Sequence, residues 1–217
     1  MNASESLARH ALSVEWATLP EPARDAVRIF LLDTLGVGIA GSKAPFAPEI
    51  GAVAQNWASG GGPAPVLGRG YALTPPQAAF INAFQIHAQE FDCVHEAAVV
   101  HPLATVLAAL MADTARQPLP VTGAEFGAAL AAGVDIAATL GLAAKTPLKF
   151  FRPATAGIFG CVAAMARLRR LDVDTTRSAF GHALAFASGT MQAHVEGKPG
   201  LPIQVAHAAQ ASLMAID

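Results

Sequence analysis

The residues best suited to chemistry lie in one run, between Asn82 and Pro102. The run holds three histidines and three acids, in a chain that is elsewhere mostly alanine and aliphatic. An apolar helix is predicted to end near Ala88 and another to begin at Pro102, so the polar residues lie on a connection between two buried elements. Such a connection can hold ionisable side chains in place while they still reach a substrate. The candidate residues are His87, Glu90, Asp92, His95 and His101.

The composition limits the class of protein. The chain has 217 residues, of which 53% are hydrophobic and only 14% are charged, so it can bury a large core as one large domain or two small ones. The net charge of -2 arises from 14 basic and 16 acidic residues that form no blocks. A nucleic-acid partner is therefore not expected.

No membrane partner and no secretion signal are expected either. The most apolar stretches are Phe126 to Val134 and Ile136 to Ala144, and neither reaches the roughly 20 residues that span a bilayer. We interpret them as one buried helix. The N-terminus lacks a basic segment followed by an apolar one. Two distant cysteines, Cys93 and Cys161, suggest reduced thiols in a cytoplasmic protein.

The pattern predicts an all-α fold, because apolar residues recur at helical spacing almost throughout. Thr122 and Glu125 have the spacing of a capping box, and Thr74 precedes two prolines that can open a helix. The segment from Gly60 to Thr74 is the one long connection, with a short extended piece expected around Val66 and Leu67. Helices are predicted over 26–39, 47–58, 122–144, 154–170, 175–188 and 203–216, besides those ending near residue 88 and beginning at 102.

Small residues indicate how the helices meet. The faces around Gly133 and Ala163 carry little side-chain volume, so helix axes can approach toward the short end of the roughly 8–10 Å range. The last helix remains apolar up to Asp217 without a capping signal. Either a partner covers it or the natural protein continues beyond it, and we expect a homodimer or a higher homo-oligomer.

Several motifs together resemble the MmgE/PrpD family, whose members include 2-methylcitrate dehydratase, cis-aconitate decarboxylase and iminodisuccinate epimerase. The central loop is similar to the family's signature of asparagine, histidine, paired acids and His-Pro. The matching residues are Phe80-Ile81-Asn82-Ala83, His87, Glu90-Phe91-Asp92, His95 and His101-Pro102. Further similarity lies in Leu31-Leu32-Asp33-Thr34-Leu35-Gly36, Thr155-Ala156-Gly157-Ile158-Phe159-Gly160 and Glu196-Gly197-Lys198, in the family's order.

The resemblance implies a helical domain over residues 1–217, a cofactor-free site and chemistry at a carbon next to a carboxylate. It also implies a smaller α/β lid domain, which this chain lacks and a separate chain could supply. In the family's active site, His101 and Lys198 match a histidine and a lysine. Glu90 occupies the position of an aspartate, and Arg152 that of a histidine.

The physical chemistry of these residues is consistent with such a site. Proton removal next to a carboxylate needs a base with a pKa near neutrality and a cation to hold the developing charge, which His101 with Lys198 or Arg152 would supply. Arg152 could also hold a carboxylate through its planar fork, with His87 and His95 as further substrate-binding candidates. Glu90 and Asp92 are the remaining catalytic candidates.

Some alternatives stay open at this level. Either acid, Glu90 or Asp92, could orient either His95 or His101 by accepting a ring proton. Dehydration, decarboxylation and epimerisation of a small di- or tricarboxylic acid are equally compatible with the residues.

Two other classes of function compete with catalysis by acid and base. The histidines and acids of the loop could bind zinc or iron, although their spacing matches no zinc signature, and we expect no metal. The chain could also be a non-catalytic helical module of a longer or split enzyme.

Overall fold

A computed structural model describes residues 2–145 and 147–217, and it shows an all-α fold, as predicted. The helices are α1 (Ala3–Ser13), α2 (Glu21–Gly41), α3 (Ala47–Ala58), α4 (Pro75–His87), α5 (Pro102–Thr114), α6 (Gly123–Ala143), α7 (Arg152–Thr155), α8 (Gly157–Arg169), α9 (Val173–Phe186), α10 (Gln192–Val195) and α11 (Leu201–Ile216). A single 3-10 turn covers Trp16–Thr18. Two short strands, β1 (Ala64–Pro65) and β2 (Ala72–Leu73), pair antiparallel.

Local signals account for most helix ends. The predicted capping box is present, since Glu125 N donates to Thr122 Oγ1 at 3.2 Å and Thr122 N donates to Glu125 Oε2 at 3.1 Å. Thr74 lies at the N-cap of α4 as predicted, although its side chain bonds Gln77 and caps no backbone N–H. Helix α1 was not predicted, and Asn2 caps it by accepting from Glu5 N at 2.9 Å.

Two predicted segments needed correction. The helix expected from residue 154 to 170 is interrupted at Ala156, which separates α7 from α8. The extended piece expected around Val66 and Leu67 lies just before them instead, in β1, because Val66 N bonds Tyr71 O and already begins the turn toward β2.

Close helix crossings build the core, as the small faces predicted. Helix α6 crosses α8 where Gly133 and Gly160 face each other. A Cβ at either glycine would lie 2.6 Å from the carbonyl oxygen of the other, so only glycine permits this approach. Helices α4, α5 and α11 contribute a further large share of the buried core residues.

An ion-pair network ties the last helix to this core. Asp113 on α5 has a side chain with no exposed surface, and it accepts from Arg116 and Arg169. Both arginines also bond Asp217, at 2.8 and 2.9 Å. The end of α11 is thereby joined to α5 and α8.

Helix α6 joins the two apolar stretches in one helix, as predicted. The two apolar stretches form one helix of 21 residues through Asp135, which by length and hydropathy alone could cross a membrane. The length of the separate stretches therefore does not exclude a membrane span, because Asp135 does not interrupt the helix. The interpretation as a buried helix fits better, since Gly127 to Leu130, Ala132, Gly133 and Ile136 to Ala138 are buried against the rest of the chain.

The expectation that α11 needs a partner to cover it was wrong. Ala209, Ala211 and Leu213 are fully buried within this chain, and only Met214 near the end is more than half exposed. Large apolar side chains are exposed on α2 instead. Ile29, Leu32 and Ile39 are 63%, 75% and 51% exposed and recur at helical spacing on one face.

Homo-oligomerisation therefore stays a prediction, with α2 as the expected contact. We expect Leu32→Lys to shift a dimer toward monomer, because it places a charge in the centre of the apolar face. Met214→Lys is the matched control on α11 and should leave the dimer intact. Light scattering at micromolar concentration measures both, and a monomeric parent protein would contradict the prediction.

Candidate active site

The central loop joins the ends of two packed helices. His87 is the last residue of α4 and is 1% exposed, while His101 is the residue immediately before α5. Between them the chain folds back on itself, because His95 and Val100 pair as an antiparallel bridge. Glu90 and Val99 adopt positive φ values of 53°, which turn the chain sharply on either side.

Asp92 is the residue that this loop turns inward. Its side chain has no exposed surface and lies between the two imidazoles. His87 Nδ1 is 3.1 and 3.2 Å from the two carboxylate oxygens, and His101 Nδ1 is 3.3 Å from Oδ2. The rings meet edge to face, with centroids 4.9 Å apart. The structure therefore settles that Asp92 bonds His101 and His87, and that it does not bond His95.

The geometry fixes the tautomers of both rings. An ionised carboxylate can only accept hydrogen bonds, so Nδ1 of each histidine must carry the proton that it donates to Asp92. His101 Nδ1 also lies 3.3 Å from the carbonyl oxygen of Asp92. For a substrate, the ring nitrogen that remains available on His101 is Nε2, and a fifth of this side chain is exposed.

Opposing effects set the protonation of the pair. Burial is the largest effect on Asp92 and raises its pKa, but the hydrogen bonds and charges of His101 and His87 outweigh it, so the pKa of Asp92 is lowered. Burial likewise acts to lower the pKa of His101. The hydrogen bond and charge of Asp92, with a smaller effect of the Glu90 charge, leave the pKa of His101 raised.

Arg152 lies against the same loop. It begins α7 directly after Phe151, whose ring is 5.9 Å from the ring of His87. Arg152 Nη1 donates to Ala98 O at 3.1 Å, so its guanidinium is fixed to the loop that carries Asp92. Sequence reasoning found Arg152 but missed Phe151, because one more aromatic residue in an apolar chain gives no signal.

The other predicted residues are less closely connected. Glu90 and His95 are exposed, and His95 Nδ1 accepts from Ala98 N at 3.2 Å within its own loop. Lys198 is exposed, and among the described residues its side chain makes no hydrogen bond or ion pair. Its loop follows Thr190, which pairs with Phe150 in a bridge next to Phe151.

That His87 binds substrate stays a prediction. The side chain is buried and uses Nδ1 on Asp92, and Nε2 is buried without a hydrogen-bond partner among the described residues. His87 is therefore placed to act on Asp92 and through it on His101.

Only three of the candidate metal ligands lie close enough together to bind one ion among the described residues. His87, Asp92 and His101 can each offer one ligand atom within 4.8 Å of the others, whereas Glu90 and His95 lie outside this set. The hydrogen bonds to Asp92 account for the same arrangement without an ion. The absence of a metal stays a prediction, which elemental analysis of purified protein can test.

A large apolar groove lies beside the loop that carries the cluster. Its volume is about 530 Å³, and it is lined by α1, α2, α6 and the start of α5 at Pro102 and Leu103, together with Cys93, Val94 and His95. None of His87, Asp92 and His101 lines it. Burial raises the pKa of Cys93 to about 11, helped by the charges of Asp92 and Asp33, so its thiol stays protonated at neutral pH.

Fold and site together define an all-helical domain with an acid–base cluster on the loop between two core helices. The sequence profile of the MmgE/PrpD N-terminal domain matches residues 5–217. The chain therefore belongs to the MmgE/PrpD family, as the motifs indicated.

Two curated relatives extend this comparison. The chain is 28% identical over 205 residues to the cis-aconitate decarboxylase-like protein oryM of Aspergillus oryzae, covering 90% of this chain and 42% of that protein. It is 28% identical over 177 residues to the cis-aconitate decarboxylase of Mus musculus, covering 78% of this chain and 36% of that protein. The chain thus spans less than half the length of both.

Removing the buried charge should destabilise the fold in a pH-dependent way. We expect Asp92→Asn to cost about 1.5–3 kcal/mol of unfolding free energy, the range for hydrogen bonds to charged groups. A raised histidine pKa contributes stability below about pH 6.5 that is lost as the pH rises through the folded value. A lowered aspartate pKa contributes stability above about pH 3.9 that is lost as the pH falls through the folded value.

The difference in unfolding free energy between parent and variant should therefore be largest near pH 5, which lies roughly midway between these two limits. It should be smaller at pH 9, which lies above both. Urea unfolding at several pH values measures it. Asp174→Asn, at a carboxylate whose side chain is 88% exposed, is the control and should change little. A loss that is equal at pH 5 and pH 9 would contradict the assigned pairing.

Proposed function

We propose that this domain belongs to a lyase or isomerase that acts on a small di- or tricarboxylic acid, beginning with proton transfer at a carbon next to a carboxylate. The observation that carries the proposal is the pairing of His101 Nδ1 with the buried Asp92, which leaves Nε2 of a partly exposed imidazole available. Membership of the MmgE/PrpD family and the cis-aconitate decarboxylase names of two relatives support the substrate class.

In this proposal His101 is the acid–base residue and Asp92 orients it. The neutral ring takes a proton from the substrate carbon on Nε2, and the imidazolium that forms is stabilised by the Asp92 carboxylate. The electron pair of the broken C–H bond moves into the adjacent carboxylate. Return of the proton to the carbon gives exchange, and its return to the opposite face after the intermediate reorients gives epimerisation. In dehydration the protonated ring gives its proton to the leaving hydroxyl group, which departs as water. In decarboxylation the C–C bond to the departing CO2 breaks instead of a C–H bond, and protonated His101 donates its proton to the carbon left with that electron pair.

Two cations are proposed to hold the developing negative charge. Arg152 is already fixed to the loop through Ala98 O, and a guanidinium can bind a carboxylate with two parallel hydrogen bonds. Lys198 would approach from the loop after α10, where its exposed side chain is not held by another described residue. Glu90 stands at the position of the family's acid, and its charge favours the protonated form of His101.

The proposal extends to the setting of the domain. A lid domain, in the same or another chain, would cover the polar loop and exclude water from it. We propose a cytoplasmic homo-oligomer that needs no cofactor.

A non-catalytic helical module is the second candidate. The observation that favours it is the exposed Lys198 side chain, which makes no contact with the cluster among the described residues. A module would keep the buried pair of Asp92 and His101 for stability and would exchange no protons with a substrate.

Proton exchange separates the two candidates. We expect the chain, alone or with a lid domain supplied, to incorporate deuterium at the carbon next to a carboxylate in citrate, 2-methylcitrate or cis-aconitate. His101→Ala should slow the exchange by about 10²-fold or more, the scale for losing a general acid or base. NMR of the substrates measures the exchange, and circular dichroism checks that each variant is folded.

His207→Ala is the control, because His207 is an exposed histidine of α11 far along the chain from the loop. It should exchange as the parent does. Exchange that survives His101→Ala unchanged would remove the proposed acid–base residue. No exchange in the parent, even with a lid present, would favour the module.

A further inference from the structure

His87 and His101 compete for one carboxylate. Asp92 is the only acidic group that the described residues place between the two rings, and its side chain is fully buried, so no water competes for its oxygens. His87 Nδ1 lies nearly midway between Oδ1 and Oδ2, at 3.1 and 3.2 Å. His101 Nδ1 is left with Oδ2 at 3.3 Å and divides its proton between that oxygen and the Asp92 carbonyl.

The contacts of both histidines with Asp92 are long. A hydrogen bond between a charged nitrogen and a carboxylate is typically about 2.7–2.9 Å long. The distances from His87 Nδ1 and from His101 Nδ1 to oxygens of Asp92, 3.1 to 3.3 Å, are all longer than that. The second donor, His87, offers an explanation, because a carboxylate already bonded on both oxygens attracts a further proton less strongly.

We propose that His87 is a positioning residue that shares the Asp92 carboxylate and so limits how firmly Asp92 holds a proton on His101. The inference rests on the proposed function, in which His101 must be neutral to accept a proton from substrate. It gives His87 a role through Asp92, consistent with its burial.

The direction of the effect follows from the charges. Without the His87 donor, the carboxylate of Asp92 is less stabilised and binds the His101 proton more strongly, which raises the pKa of His101 further. Any positive charge on His87 itself repels a proton on His101, and its removal acts in the same direction.

Neighbouring groups do not reverse this direction. The Glu90 charge favours protonated His101 in parent and variant alike. Arg152 is fixed on Ala98 O, His95 bonds the N–H of Ala98, and Phe151 on the other side of His87 is uncharged. The Cys93 thiol beside Asp92 has its pKa raised to about 11 and stays neutral.

Three substitutions of His87 test the proposal. His87→Phe keeps a ring of similar volume and removes the donor. His87→Gln introduces an amide, but its nitrogen lies near the position of Nε2, away from Asp92. His87→Asn places its amide nitrogen near the position of Nδ1, so it can still donate to Asp92.

The readout is the pH titration of the His101 ring in the full chain, followed by NMR and assigned by comparison with His101→Ala. We expect the pKa of His101 to rise by roughly half a unit to one unit in the Phe and Gln variants, as for the loss of one hydrogen bond to a charged group. In the Asn variant it should stay close to that of the parent.

The proposal is overturned if His101 titrates in the Phe and Gln variants as it does in the parent, or if the Asn variant shifts as far as they do. Should one variant fail to fold, the remaining pair still decides between these results. The titration requires no substrate, so it stays informative even if the exchange experiment shows no activity and the proposed function fails.

Where exchange is observed, its pH profile gives a second readout. In the Phe and Gln variants the rise in exchange rate should move to higher pH by the same amount as the pKa of His101, with little change in the plateau rate. A merely structural role for His87 would lower the plateau and leave the midpoint in place.

Discussion

The buried carboxylate of Asp92 is the interaction on which the rest of the site depends. Burying an ionised carboxylate in a protein costs roughly several kcal/mol of desolvation free energy, which charged or polar partners must offset. Here the partners are two imidazoles, one from the last residue of α4 and one from the residue before α5. Helix α4 must therefore end at His87 and α5 must begin after His101, and the loop between them must turn inward at Asp92. The same contacts that satisfy the carboxylate fix the tautomer of His101 and raise its pKa.

The scaffold holds this loop through close packing of small residues. Glycines at the crossing of α6 and α8 permit a backbone approach that any side chain would prevent. A second buried carboxylate, Asp113, joins α5 to α8 and to the end of α11 through Arg116 and Arg169. Buried acids therefore make contacts at both ends of α5, Asp92 at its start and Asp113 near its end. These contacts restrict how far His101 can move relative to the core. Rigid support of this kind keeps catalytic groups in a productive geometry.

Where the loop and Arg152 resemble the family's motifs, some residues agree with the pattern and others differ. Asp92, His87 and His101 keep the histidines and the inner acid of the pattern, whereas Arg152 replaces a histidine and Glu90 an aspartate. Arginine stays charged at all accessible pH values and binds carboxylates through two donors, so Arg152 adds binding capacity and removes a group that could exchange protons. The acid–base chemistry that we propose therefore depends on His101 alone, which makes the contacts of its ring decisive for whether the domain is an enzyme or a binding module.

The sequence by itself determined the all-α fold, the family and the loop that carries the site, because helical periodicity, capping signals and motif order are local properties of the chain. The capping box at Thr122 and the helix over Ala47–Ala58 were predicted with their bounds for the same reason. Sequence could not choose which acid orients which histidine, since residues 87, 92 and 101 meet only after α4 and α5 pack. Nor could it show that α11 is covered by its own chain while α2 is exposed. Both outcomes depend on which faces meet across long sequence separations, and only the tertiary structure decides that.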